Sequence, residues 1–477
     1  MVTNLLLVVP GSKTFYGEPR YPATGISMIG AVLIRAGHNV RAVDMRFSGV
    51  KDSDYLSLIE TTQPAVIGFT VTNWDQSEAL RLSRLAKTLA PQAAILWGGP
   101  QPSLCPEEIM THEEVDVLVR GEGETTVVEL VDVLERKEDL AKVLGITYRS
   151  GDKQIRRNPD RPLIEDLSTL PRPAYGLFRL EKYAAAGERR LGIFSTRGCP
   201  YGCIFCTGRT VMGRRIRCRP PEEVVAEMRY WHEEAQITHF CFNEDNLLGH
   251  HKHGEKLLDL LEAERLPVTY SLEVGVRADA LTDEICAKLR RTGCTIVAIG
   301  IESVDPGVLK LAKKGETIET ITRGIRCTKR AGLFVKGYFI VGLPGDSADK
   351  VKKAVEFSRK EEIDMPRFAL AQAFPHTELA EWVEKHGRFY FDPYEYVLEH
   401  TDEFHGAVHY DMPEFTKDQI WRAYKWAHDQ AEALSFKRAL IRRFGRIKGN
   451  LLNLGNNQLT RRIAVSMYQR KWISLPK

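Results

Sequence analysis

The decapeptide "RGCPYGCIFC", Arg197 to Cys206, places Cys199, Cys203 and Cys206 within eight residues. A structural zinc site takes four ligands, a disulfide two, and a redox dithiol only the outer pair of a C-x-x-C. Three thiolates at this spacing read as a metal site with one position kept open, as a catalytic zinc keeps one for water or substrate. A cluster of four irons normally takes four thiolates, so three leave one iron open to another ligand. Cys218, within "GRRIRCRPP", is the nearest further cysteine, and its Arg-rich setting puts it outside the ligand set. Zinc with three Cys and one His is the alternative. The nearest downstream histidines, His232 and His239, fall in a predicted helix and strand.

The cysteines follow a predicted strand, "LGIFSTRG", and open a run of alternating elements. Strands are expected at "THFCFNEDN", "VTYSLEVGVRA", "TIVAIGIES", "FVKGYFIVGLPG" and "RFALAQAF", separated by amphipathic helices such as "PPEEVVAEMRYWHEEA". Six βα-like units predict a partial (β/α)6, TIM-like barrel, with the cysteine loop at the carboxyl end of its first strand, the catalytic face of such barrels.

Upstream, "NLLLVVP" is an apolar run ended by a turn, as a strand buried on both faces requires. "NVRAVDM", "PAVIGFTVT", "AAILWGGP" and "VDVLVRGEGE" repeat the signal, with helices such as "SEALRLSRLAKTLAP" between them. This α/β alternation predicts a doubly wound, Rossmann-like parallel sheet, whose ligands bind beyond the carboxyl ends of the strands. Thr70, Thr72, Gly98, Gly99, Pro100, Gly121, Glu122 and Gly123 lie there. The expected organisation is residues 1–145 for this domain, 146–190 for a crossing linker with a small hairpin, 191–385 for the barrel, and 386–477 for a mostly helical, basic region.

A chain of 477 residues is too long for one core. Net charge +4 gives no argument for nucleic acid, and no apolar run approaches the ~20 residues that span a bilayer. "NLLLVVPG" is broken by Pro10 and Gly11 too early for a signal peptide, and nine cysteines, odd and partly clustered, fit a reducing compartment. The expected location is cytoplasmic. In the tail, "SFKRALIRRFGRIKGN" and "TRRIAVSMYQRKW" interleave basic and apolar residues. One reading packs the apolar face on the barrel; the sharper one is a peripheral contact with membrane or lipid substrate.

"CPYGCIFC" resembles the C-x-x-x-C-x-Φ-C signature of the radical S-adenosylmethionine (SAM) superfamily, with Phe205 as the aromatic residue. "FNEDN", "VGVRADAL", "AIGIES" and "FIVGLPGDS" match further strand-end elements of that superfamily in order, over about residues 190 to 380. The resemblance implies that Cys199, Cys203 and Cys206 ligate a [4Fe–4S] cluster whose fourth iron is chelated by SAM. It places Phe205 near the adenine, and Asp245, Glu273, Arg277 and Glu302 as SAM contacts. For the last three, a mutual salt bridge is the structural alternative, since buried unpaired charge is costly. "YPATGISMIGAVLIRAGHNVRAVD", "GGPQPS" and "VRGEGETT" resemble the cobalamin-binding domain that precedes the barrel in one subfamily. The D-x-H-x-x-G element of many cobalamin proteins is absent: "DMRFSG" has Arg46 at the His position, and His38 and His112 are the domain's histidines. Many members of the subfamily hold cobalamin without that ligand.

The resemblance implies radical methyl transfer to an unactivated carbon, or phosphorus, of a small-molecule or lipid-like substrate, with an electron donor such as flavodoxin or ferredoxin. The alternatives are an oxidative cyclase of the tetrapyrrole type without methyl transfer, and a non-catalytic cofactor-binding sensor.

Overall fold

A computed structural model of the chain describes residues 2–11, 18–184, 188–244, 246–392 and 407–445. Two sheets organise it. In the first, β1 (Asn4–Val9), β2 (Asn39–Asp44), β3 (Val66–Thr70), β4 (Ala94–Gly98) and β5 (Val117–Val119) run parallel. β6 (Ile146–Arg149) and β7 (Ile155–Arg157) then add antiparallel, giving the order β2-β1-β3-β4-β5-β6-β7. The segment read as a linker therefore begins with a hairpin that extends the first sheet. The β2-β1-β3-β4-β5 order places a topological switch between β1 and β3, with ligand space outside the carboxyl ends.

Helices cover both faces because β1 is apolar along its whole buried length. Leu5 to Val9 join Ile67, Ile95, Trp97 and Leu118 in one core. A helix over Asp52–Thr62 was not anticipated; it buries only Tyr55 and Ile59.

The second sheet is parallel throughout. Its strands are β8 (Arg190–Ile193), β11 (His239–Phe242), β12 (Thr269–Val276), β13 (Cys294–Glu302), β14 (Phe334–Val341) and β15 (Met365–Leu370), in sequential order β8-β11-β12-β13-β14-β15. Two short strands, β9 (Thr196–Arg197) and β10 (Arg217–Cys218), pair antiparallel and close the base of the cysteine loop. This is the partial barrel expected.

Alternation fixes the two faces of this sheet. Leu191, Ile193, Phe240, Phe242, Leu272, Val297, Ile299, Val335, Phe339 and Phe368 pack in one core with helix residues such as Val224, Leu257 and Ile325. Their neighbours, among them Cys241, Glu273, Ala298, Lys336 and Arg367, consequently face the barrel interior.

The helix Lys417–Phe444 sets Ile420, Ala423, Tyr424, Ala427 and Ala431 against the same core. Arg438 pairs with Glu362 and Arg442 with Asp364, so this half of the basic tail turns its charge onto the barrel. "TRRIAVSMYQRKW" lies outside the described residues. Among those described, no helix is long and apolar enough to cross a membrane.

Candidate active site between the two sheets

The cysteine loop leaves β9 through Gly198, whose φ of 94° and lack of side chain are both used: a Cβ there would lie 2.3 Å from the Arg215 carbonyl oxygen. Cys199 N–H donates to the Gly213 carbonyl (3.1 Å), Cys206 N–H to that of Cys203 (3.2 Å), and Gly208 N–H to Cys206 Sγ (3.3 Å). Ile204 N–H donates to the Ala312 carbonyl (3.1 Å), pinning the loop to the barrel rim. Phe205 packs beside Ile204 against a cluster that contains Val308, Ala312 and Leu343. Three thiols on one hydrogen-bonded loop at the strand ends suit an iron–sulfur cluster with one open iron.

Around this loop lies a charged network that sequence reasoning found only in part. The Arg277 guanidinium stacks over the Tyr201 ring at 3.7 Å, donates to the Lys314 carbonyl (2.7 Å), and pairs with Asp279 (2.6 Å). Lys314 Nζ lies 3.1 Å from Glu302 and 3.6 Å from Glu316. The mutual salt bridge that was the alternative to SAM contact for Glu273, Arg277 and Glu302 does not form. Arg277 and Glu302 are linked through Lys314 and Glu316, while Glu273 lies apart, bonded to Lys336 at 2.5 Å. Burial pushes the Cys203 thiol up, and the charges of Lys314 and Arg277 pull it back toward the thiolate. Lys314 and Tyr201 could not be singled out beforehand, because a lysine in "KKGET" and a tyrosine between cysteines show no periodicity.

Asp245 lies outside the described residues. Its neighbour Glu244 accepts from the backbone N–H (2.9 Å) and hydroxyl (2.7 Å) of Ser195. Asn246, also beside it, is buried with neither side-chain atom hydrogen-bonded among the described residues. A polar ligand at the end of β11 would satisfy that amide.

Deeper in the barrel, ligand atoms of His239, Cys241 and Glu273 approach within 4.8 Å of one another. The Ser271 hydroxyl sits among them, 2.9 Å from His239 Nε2, 3.6 Å from Cys241 Sγ and 3.1 Å from Glu273 Oε1. With Lys336 and Arg190 beside Glu273, a cation would meet both an occupied centre and like charge. The cluster is a hydrogen-bonded floor to the barrel.

The loops of the first sheet face the cysteine loop. Thr70 ends β3, and Thr72 Oγ1 donates to Asp75 (2.6 Å). Gly98 ends β4. Gly99, at φ 111°, approaches so closely that a Cβ would lie 2.8 Å from the Val71 carbonyl. Pro100 opens a short helix, and Gly123 opens the helix Gly123–Arg136. Ser103, unforeseen, ties the Gly98–Pro100 and Gly121–Gly123 turns together, donating to the Gly99 carbonyl (2.8 Å) and accepting from Gly121 N–H (2.9 Å). Asn73 Nδ2 and Gln76 Oε1 are buried without a hydrogen-bond partner among the described residues. A corrinoid ring edged with amides fits such a surface.

Glu122, expected as a cobalamin contact, has its carboxylate engaged within the protein. Its carboxylate accepts from Arg217 (2.7 Å), Arg197 (3.0 Å) and the Ile164 N–H (2.7 Å), while Arg197 also pairs with Glu124 at 2.5 Å. Two arginines flanking the cysteine loop thus grip two glutamates at the tip of the first sheet. Leu104 and Cys105 pack with Val211 and Met212 beside them.

Residues 193–358 match the radical SAM superfamily, and residues 18–131 match the B12 binding domain. An uncharacterized methyltransferase of Pyrococcus horikoshii is 29% identical over 385 residues, 80% of this chain and 83% of that protein. The anaerobic magnesium-protoporphyrin IX monomethyl ester cyclase of Rubrivivax gelatinosus is 27% identical, over 79% of this chain and 69% of the relative. Among solved structures, the cobalamin-dependent SAM radical enzyme OxsB, with aqua-cobalamin and SAM bound, superposes with a TM-score of 0.75 at 17% identity, covering 97% of this chain and 72% of that one. The chain thus joins a B12 binding domain to a radical SAM domain.

Proposed function

We propose that the protein is a methyltransferase that moves a methyl group to an unactivated carbon, or phosphorus, of a small molecule by a radical route. Its cofactors are a [4Fe–4S] cluster, SAM and cobalamin. When bound, the cluster and SAM supply a carbon-centred radical and cobalamin a transferable methyl group. The observation that supports this reading most is the packing of the Gly98–Gly123 loops against the segment just after the cysteines, which makes the two cofactor sites neighbours.

Cys199, Cys203 and Cys206 would hold the cluster. Arg277 would orient their loop through Tyr201, and Lys314 would favour the thiolate of Cys203 by its charge. Glu302, Asp245 and Asn246 are the groups we assign to SAM; Phe205 would close its adenine side. Thr70, Thr72, Asn73, Gln76 and the turns at Gly98–Pro100 and Gly121–Gly123 would hold cobalamin. Turnover requires a one-electron reductant, for which a flavodoxin or ferredoxin is suited.

Feeding SAM labelled in its methyl group tests the reading: label in a product supports transfer. The cyclase relative favours a second reading, in which the same site oxidises and closes a ring. Release of 5′-deoxyadenosine with a converted but unlabelled product would decide for it.

A further inference from the structure

From the hydrogen-bonded floor toward the strand ends, the inward wall of the barrel is charged. Glu273 on β12 lies at its middle, with Lys336 Nζ of β14 at 2.5 Å and Arg190 of β8 at 3.9 Å on the other side. Lys336 can reach across β13 because that strand presents only Ala298 and Gly300 there, Ala298 pairing in register with Lys336. One carboxylate is therefore shared by two cations, Arg190 having a second partner in Glu188.

One strand further, Arg367 is exposed and makes no hydrogen bond or ion pair among the described residues. It pairs in register with Tyr338, two residues above Lys336, so Lys336 and Arg367 project from adjacent strands onto the same face of the sheet. Burial holds His239 neutral, with a pKa near 4, and pushes the Cys241 thiol up to about 11, so neither offsets this charge at neutral pH. From the long C-terminal helix, His428 faces Arg367 and is held toward the neutral form by burial and by that same arginine. The wall has a surplus of positive charge. Above Arg367, Ile340 and Ala369 continue it as an apolar strip toward the strand ends, about 10 Å away.

We propose that this wall is the substrate-recognition site and that it takes a small molecule bearing an oxyanion, a carboxylate or a phosphate, anchored by Arg367 and Lys336. The part to be modified lies along Ile340 and Ala369 toward the cysteine loop. A purely hydrocarbon substrate would press apolar surface onto the Arg367 guanidinium, an unfavourable exchange of hydration for no partner. The inference rests on the reading of the barrel interior as the reaction chamber.

The test is calorimetric titration of the full chain, loaded with cluster and cobalamin, with inorganic phosphate and separately with succinate, at constant ionic strength. Saturable binding of either is expected, and the stronger one names the source of the oxyanion. Arg367→Gln should weaken it at least tenfold with an unchanged melting profile, since Arg367 supports nothing else in the fold. Glu273→Gln, which removes the competing carboxylate, should tighten it severalfold. Absence of saturable binding by the native protein, equal binding by Arg367→Gln, or weaker binding by Glu273→Gln would each overturn the proposal. Anion binding needs no turnover, so its outcome is separate from that of the labelled-methyl experiment.

Discussion

The grip of Arg197 and Arg217 on Glu122 and Glu124 offers the sharpest test of how the two sheets are held together. The Arg217 and Glu122 side chains are each 3% exposed. Arg217→Met would remove the donor to Glu122 and also strand the carbonyls of Ile164 and Met212, which it serves at 2.7 and 2.8 Å. Breaking a buried pair by deleting one partner costs about 3–5 kcal/mol, because the surviving charge has lost its compensation. Glu122 keeps Arg197 and the Ile164 N–H, which places the expected cost toward the lower figure. Hydrogen exchange followed by mass spectrometry would read it as a loss of protection of roughly 10²- to 10³-fold, confined to peptides around residues 117–124 and 195–218. Arg157→Met is the control: its pair with Glu107 is half exposed on both sides, and such pairs contribute about 0–1 kcal/mol. If the two variants lost protection equally, the pair would not be holding the junction.

The same junction sets a pH dependence. Burial would raise the Glu122 carboxyl, but the hydrogen bond from Arg217 and the charges of both arginines outweigh it and hold the pKa below the ordinary carboxylate value. A depressed folded pKa means stability that is present above the unfolded value, about 4.3, and lost as pH falls through the folded one. The junction should therefore loosen in acid below about pH 4.3, and a Glu122→Gln variant should show a shallower acid loss by the same exchange measurement. Cys203→Ala should abolish both the brown absorbance of the reconstituted protein and SAM cleavage; retained cleavage would remove the cluster assignment. Arg277→Lys, which keeps the charge but gives up the planar stack on Tyr201, should lower cluster loading severalfold by iron analysis, while Tyr201→Phe, which keeps the ring, should not. Gly99→Ala should impair hydroxocobalamin binding, read by absorbance, and destabilise the chain by at least about 1–2 kcal/mol, because its backbone is left-handed and the added Cβ meets Val71.

What the sequence made legible was whatever one short stretch could encode. β1 was readable because it is buried on both faces and therefore uniformly apolar, and the cysteine loop because three cysteines within eight residues form a local pattern. The helix Asp52–Thr62 was missed because two buried residues in a run of Asp, Ser and Thr make no stripe. The loop position of Glu122 was legible, but the partners of its carboxylate were not. A glycine-flanked glutamate at a strand end looks like a ligand contact until an arginine 95 residues away claims its carboxylate. Lys336 and Arg367 stood in plain view in predicted strands, yet only the register with Tyr338 and the smallness of Ala298 and Gly300 show that both look onto one wall.

That contrast has a physical origin with a functional consequence. Cofactor recognition in this chain is local, since backbone turns and closely spaced cysteines can each be built from one loop. Joining the two cofactor sites and choosing a substrate are not local: each needs charges from different strands or different sheets. The junction quartet solves the first requirement with two arginines and two glutamates, a set in which the formal charges cancel, so the sheets can be held without attracting counter-ions. The barrel wall does the opposite. Its three cations, Arg190, Lys336 and Arg367, outnumber the carboxylates of Glu188 and Glu273, and the one left without a protein partner among the described residues, Arg367, is the one a ligand's negative charge would meet.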